Sequence, residues 1–114
     1  MSKIKLERIE SSILRELSSI IYEEVHNEII KSVTITEVRV TNDLSMCKVF
    51  YTFYGDYEKQ EVQAELTNAS SFLRTELAKR IDIRNTPEIR FVYDESIEYS
   101  NNIENIIESI NKHE

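Results

Sequence analysis

Val33-Thr34-Ile35-Thr36-Glu37-Val38-Arg39-Val40-Thr41-Asn42-Asp43-Leu44-Ser45-Met46-Cys47-Lys48-Val49-Phe50-Tyr51-Thr52-Phe53-Tyr54 is the stretch from which the fold follows. Its opening part, residues 33–41, is dense in β-branched side chains, which suit the pleated surface of a strand. The alternation slips inside it: Val33 and Ile35 share one parity, Val38 and Val40 the other. Successive strand side chains point to opposite faces, so an uncorrected slip would turn half of this apolar set into water. One extra residue restores the face, and a β-bulge is expected near Thr36 or Glu37. Asn42-Asp43-Leu44-Ser45 then supplies turn chemistry, because Asn and Asp side chains hydrogen-bond backbone two residues on. Met46 to Tyr54 returns as a second strand, and the short connection makes the pair an antiparallel hairpin.

Upstream of the hairpin, Ile9, Ile13, Leu17, Ile20, Ile21, Val25 and Ile29 recur at spacings of three and four, with charges between them. That pattern predicts one long amphipathic helix facing a core. Downstream, Gly55-Asp56 ends the second strand and offers Asp56 as the N-cap of another helix, with Glu58 in its first turn. Val62, Leu66, Ala69, Leu73, Leu77 and Ile81 mark its buried side. Its middle, Thr67-Asn68-Ala69-Ser70-Ser71, is rich in poor helix formers that compete for backbone hydrogen bonds. A bend or break is expected there, giving two helices at an angle rather than one straight rod. Thr86-Pro87 forces extended backbone, and Glu88-Ile89-Arg90-Phe91-Val92-Tyr93 follows as a third strand with Ile89, Phe91 and Tyr93 on one face. Ser96 or Ser100 can cap a last, acidic helix over about residues 97–114, in which Ile103, Ile106, Ile107 and Ile110 form the stripe. The order is α-β-β-α-α-β-α: an α+β, two-layer domain with a three-stranded sheet covered by helices.

Nothing in the composition divides residues 1–114. One glycine and one proline leave no flexible linker, so a single domain is expected. No apolar run is long enough to span a membrane, and Met1 to Arg8 lacks the apolar stretch of a signal peptide. A lone cysteine, Cys47, fits a reducing compartment, so a cytoplasmic protein is expected. The net charge is −7, which by itself argues against nucleic-acid binding. Its distribution is uneven. Lys3, Lys5, Arg8 and Arg15 outnumber Glu7 and Glu10 in residues 1–15, and Arg74, Lys79, Arg80, Arg84 and Arg90 outnumber Glu76, Asp82 and Glu88 in residues 74–90. Acid concentrates after residue 91, where six carboxylates face only Lys112.

The inventory for catalysis is thin. His26 and His113 are the only histidines, and with one cysteine they do not make a zinc site of the usual spacing. Cys47 alternates with Met46 and Lys48 in a strand and reads as a buried structural thiol. Gly55 alone cannot build a phosphate loop, nor the Gly-x-x-Gly loop with which K-homology domains grip RNA. No metal, cofactor or enzymatic activity is expected.

At this point the residues resemble a known family. Asn42-Asp43-Leu44-Ser45-Met46-Cys47-Lys48-Val49-Phe50-Tyr51 is similar to the hairpin signature of bacterial ribosome-binding factor A. Asn68-Ala69-Ser70-Ser71-Phe72-Leu73-Arg74 resembles its mid-domain helix, and residues 83–96 resemble its Leu-Arg, Pro-Glu-Leu, Phe, Asp pattern, with Arg8 and Ile9 fitting its first helix. The resemblance implies a type II K-homology-like fold whose Gly-x-x-Gly loop is replaced by a kinked helix pair. It also implies a non-enzymatic monomer that binds the free small ribosomal subunit and its rRNA during late maturation, including processing of the rRNA 5′ end. Growth in the cold and an assembly GTPase as a further partner belong to the same expectation. Where the family has glycine at the bend, this chain has Ser71, so the kink reads Ala69-Ser70-Ser71.

For RNA contact the expected residues are Arg74, Lys79, Arg80 and Arg84, on or just beyond the second half of the helix pair, with Lys3, Lys5 and Arg8 as secondary contacts. Each would neutralise phosphate. The structural alternative pairs Arg74 with Glu76 or Glu65, and Arg84 with Asp94. Lys48 and Arg90 fall on strands, in a direction that the sequence leaves open. Tyr51, Phe53, Phe72 and Phe91 are expected in the core. The rival readings are an acidic protein–protein adaptor, favoured by the −7 charge, and an RNA-processing enzyme, which lacks a usable catalytic group.

Overall fold

The slip in the first strand is resolved where the alternation requires. In the computed structural model, which describes residues 2–96, β1 (Val33–Val40) pairs antiparallel with β2 (Met46–Phe53). Ile35 lies opposite Tyr51 and Glu37 opposite Phe50, so Thr36 is the extra residue of a β-bulge. The bulge brings Val33, Ile35, Val38 and Val40 to one buried face. β3 (Glu88–Tyr93) runs parallel to β2 on its other side, giving the order β1-β2-β3. Two long helices, α1 (Lys3–Glu24) and α3 (Lys59–Arg80), cover the inner face, and a short α2 (Glu28–Lys31) sits between α1 and β1. Ile13, Leu17 and Ile20 of α1, Val62, Leu66, Leu73 and Leu77 of α3, and Val49, Tyr51, Ile89 and Phe91 of the sheet meet in one core. Each fully buried side chain of this size contributes about 1.5–3 kcal/mol.

Polar ties fix the layers. The Tyr51 hydroxyl donates to Gln63 Oε1 (2.6 Å), and Gln63 Nε2 donates to the Phe91 carbonyl (2.8 Å), so one glutamine joins β2, α3 and β3. Glu10 Oε2 accepts from the Val40 N–H (2.8 Å). That bond occupies a backbone donor on an edge strand, where free donors invite pairing with other chains. In the hairpin turn, Asp43 accepts from Thr41 Oγ1 and from Ser45 Oγ and N–H, and these bonds hold its carboxyl down at about 2. Cys47 is fully buried, and burial pushes its thiol up to about 12, as suits a structural residue.

Four expectations need correction. The first helix does not reach Ile29: α1 ends at Glu24, and Asn27 starts α2 by accepting from the Ile29 and Ile30 N–H groups. Asn27 also donates to Glu65 on α3 (2.9 Å), which fixes the break by tertiary contact. Asp56 is not the cap of α3; Glu58 holds that position, without a side-chain bond. Gly55, at φ +99°, turns the chain so that Tyr57 packs partly into the core before the helix starts. At Ala69-Ser70-Ser71 the chain does not break into two helices, because α3 is continuous from Lys59 to Arg80. Thr67 Oγ1 donates to the Gln63 carbonyl, Ser70 Oγ to Thr67, and Thr75 Oγ1 to Ser71, so the hydroxyls are absorbed by the helix's own carbonyls. Phe72, expected inside, is 46% exposed, on the side of α3 away from Leu73 and Leu77. The last helix expected over 97–114 lies outside the described residues.

Ser71 is therefore an exposed helical residue, and the one non-glycine at positive φ among the described residues is Leu44. Ser71→Gly should lower stability by about 0.5 kcal/mol, the difference in helix propensity, measured by urea unfolding. A rise in stability would mean instead that residue 71 sits at positive φ, where glycine is favoured.

Candidate nucleic-acid interface

Cations gather where the end of α3 packs along α1. Arg8, Ile9, Ser12, Arg15 and Glu16 from α1 and residues 80–83 at the end of α3 line a cleft of about 240 Å³. Lys3 and Lys5 stand exposed on the first turn of α1, whose N-cap Ser2 accepts from the Lys5 N–H (3.3 Å). That turn carries no acidic residue. Its cations therefore add to the positive end of the helix dipole, which favours anions nearby. Arg84 is exposed just past the cleft, and the alternative pair with Asp94 does not form: Asp94 accepts from Thr36 Oγ1 and from Ser96 instead.

Arg80 is drawn inward. Its Nη2 donates to Glu24 Oε1 (2.7 Å), its Nη1 donates to Ser19 Oγ (3.1 Å), and Glu16 and Glu23 lie at 3.6 Å. The Glu24 hydrogen bond, ahead of the other charges, strengthens its hold on the proton. A guanidinium surrounded by three carboxylates has little charge left for a phosphate and serves as a clamp between α3 and α1. Arg74 faces the other flank of α3. Its Nε and Nη2 both donate to the Thr86 carbonyl (3.1 and 2.8 Å), which pins the loop before Pro87, and neither Glu76 nor Glu65 pairs with it. Among the described residues no carboxylate pairs with it. Lys79 pairs with Glu76 (3.0 Å), an exposed contact of the kind worth under about 1 kcal/mol and easily exchanged for another anion.

The structure thus brings Arg8 and Arg80 into one cleft, sets Arg84 just past it in the chain, leaves Lys3 and Lys5 exposed on the first turn of α1, and turns Arg74 toward the loop before β3. Arg15 belongs to the cleft and was not singled out in the sequence, although it lies seven residues from Arg8 on the same helical stripe. Lys48 and Arg90 both face outward from the sheet. Ser70 and Ser71 lie within the unbroken α3, so no loop at this position presents backbone to a ligand. His26 is exposed between α1 and α2, whereas Cys47 is fully buried in β2. Among the described residues no helix is long and apolar enough to cross a membrane.

The ribosome-binding factor A family model matches residues 5–107. Ribosome-binding factor A of Staphylococcus carnosus is 42% identical over 113 residues, which cover 98% of each chain. The crystal structure of ribosome-binding factor A from Thermus thermophilus matches 77% of this chain and 93% of its own, with a TM-score of 0.71 at 23% identity. A homology model of the Thermus thermophilus factor, fitted into a cryo-EM map of its complex with the 30S subunit, gives 0.63 at 22% identity over the same shares. At these identities the structural likeness carries the fold: a K-homology-like domain, here without a Gly-x-x-Gly loop.

Two substitutions separate clamp from surface. Arg80→Leu leaves Glu16, Glu23 and Glu24 facing one another, so the urea midpoint should fall, and added salt should restore part of the loss by screening. Arg84→Ala should change stability by no more than about 0.5 kcal/mol. Equal losses at both positions would show that Arg80 is not the tie between α1 and α3.

Proposed function

This chain belongs to the ribosome-binding factor A family, and from that premise we propose that it binds the free small ribosomal subunit through its rRNA during late maturation. The observation that carries the reading is the match with the Staphylococcus carnosus factor, which runs through nearly the whole of both chains. The role is that of an assembly factor, present while the rRNA 5′ end is processed, acting in the cytoplasm as a monomer without a cofactor. Its need is greatest in the cold, and an assembly GTPase acts on the same particle.

The physical reading fits such a role. A chain at −7 cannot be held on RNA by its overall charge, so binding must come from local cationic surface with the acidic parts turned away. Arg8 and Arg84 beside the cleft, with Lys3 and Lys5 on the first turn of α1, make one such surface, and Arg74 and Lys79 add charge on the outer side of α3. Arg80 supports it by fixing the two helices to each other. The grip is made by side chains and a helix end in place of a glycine loop.

Sucrose-gradient sedimentation of the protein with purified small subunits tests the proposal. Co-migration at low salt that is lost at high salt is expected, because each phosphate contact releases counterions. If the protein stays at the top of the gradient at every salt, with subunits from cold-grown cells included, the acidic adaptor reading replaces this one.

A further inference from the structure

The sheet register sets three cations in one row. Arg39 on β1 lies opposite Lys48 on β2, and Lys48 lies opposite Arg90 on β3. Each alternates with buried neighbours, Val38 and Val40, Cys47 and Val49, Ile89 and Phe91, so all three project from the face that the helices leave open. With strands about 4.8 Å apart, the row is roughly 10 Å long.

This arrangement works against the sheet. Like charges directly opposite on neighbouring strands are destabilising, and Lys48 stands between two guanidinium groups. Relief is slight: Glu37 lies 3.1 Å from Arg39 Nε in an exposed pair, and among the described residues neither Lys48 nor Arg90 has an ion pair. The next row toward the end of β3 is Glu37, Phe50 and Val92. Val92 is 36% exposed, and the Arg39 guanidinium lies 5.7 Å from the centre of the half-buried Phe50 ring. This face thus carries a line of cations with an aromatic ring and an aliphatic side chain alongside, flanked by Glu37 on one side and Glu88 on the other. Single-stranded nucleic acid needs that combination: positive charge for the backbone and an apolar, stackable surface for a base.

We propose that the open face of the sheet binds a single-stranded segment of RNA, with phosphates on Arg39, Lys48 and Arg90 and a base against Phe50 and Val92. The inference rests on the reading of the chain as an rRNA binder and adds a contact surface on the opposite side of the sheet from the helices.

The test compares the full chain with the double variant Lys48→Thr/Arg90→Thr, using two probes: purified small subunits and a labelled oligouridylate. Threonine keeps strand propensity, and relief of repulsion should leave the thermal midpoint unchanged or raised. Oligouridylate affinity at low salt should fall about tenfold or more, and the slope of log affinity against log salt should shrink by about 2, one for each contact removed. Subunit binding should weaken in parallel. Lys48→Gln, which keeps most of the aliphatic stem, provides a second reading if the double variant folds poorly, with a slope change of about 1. Unchanged oligouridylate affinity and slope overturn the inference. So does weakened subunit binding with unchanged oligouridylate binding, which would place a ribosomal protein on this face. If the unaltered chain binds oligouridylate but not subunits, the assembly-factor reading fails while the sheet-face site stands.

Discussion

The unpaired Thr36 in β1 is the constraint on which most of the molecule depends. Without the bulge, either Val33 and Ile35 or Val38 and Val40 would face water, and α1 would lose half of the strand surface that it covers. The same residue that corrects the inner face also sets the outer one. By shifting the register between Ile35 and Glu37, it brings Arg39 opposite Lys48 and moves Glu37 opposite Phe50. Thr36 then donates to Asp94, just beyond β3, at 2.6 Å, tying the two outer strands together across the central one. That bond, with those from Ser96, holds the Asp94 carboxyl below its usual range, the Ser96 bond counting most. One inserted residue thus fixes the core, the pattern of surface charge and a tie between edge strands.

The helices show how charge and hydroxyl groups that look functional in a sequence can be used by the fold. Arg80 sits in the most basic part of the chain, yet its guanidinium is spent on Glu24, Glu16, Glu23 and Ser19. Arg74 spends two of its donors, Nε and Nη2, on one carbonyl of the loop before β3, a geometry that orders the strand entry without cancelling the charge. Thr67, Ser70 and Thr75 use their hydroxyls on carbonyls one turn back. Such bonds weaken helix preference in isolation, but here Leu66 and Leu73 on either side are fully buried. Packing of that kind outweighs propensity differences of several tenths of a kcal/mol.

What the sequence disclosed and what it hid divide along the same line. The three strands, the bulge, the hairpin and the buried stripes of α1 and α3 were legible because each is a local period imposed on apolar residues. The end of α1 was not, since Ile29 continues the spacing while Asn27 breaks the helix through a bond to Glu65, thirty-eight positions away. The Asp56 cap was displaced by Tyr57 packing, another tertiary effect. For the candidate interface, composition located the basic segments, and the resemblance named the kind of partner. Which cations remain free depends on neighbours distant in sequence, as Arg80 and Glu24 illustrate. The row of Arg39, Lys48 and Arg90 was hidden for a different reason. Each is an ordinary outward strand residue, and their alignment exists only once two strand registers are known.

These features bear on how an acidic protein can bind an anionic partner. Phosphate recognition depends on local potential, and screening confines that potential to about 10 Å at moderate salt. Within such a radius the net charge of the chain matters less than the way its carboxylates are used. Glu16, Glu23 and Glu24 are turned toward Arg80, Glu76 toward Lys79, and Asp43 and Asp94 into turns and strand ties. Lys48, Arg84 and Arg90 are left outward without such partners among the described residues. The fold therefore engages part of its acids inside its own contacts and leaves a subset of cations, together with exposed acids such as Glu7, Asp82 and Glu88, to face solvent. That use of its carboxylates, more than the composition, decides where a chain of net charge −7 can present positive charge to an anionic partner.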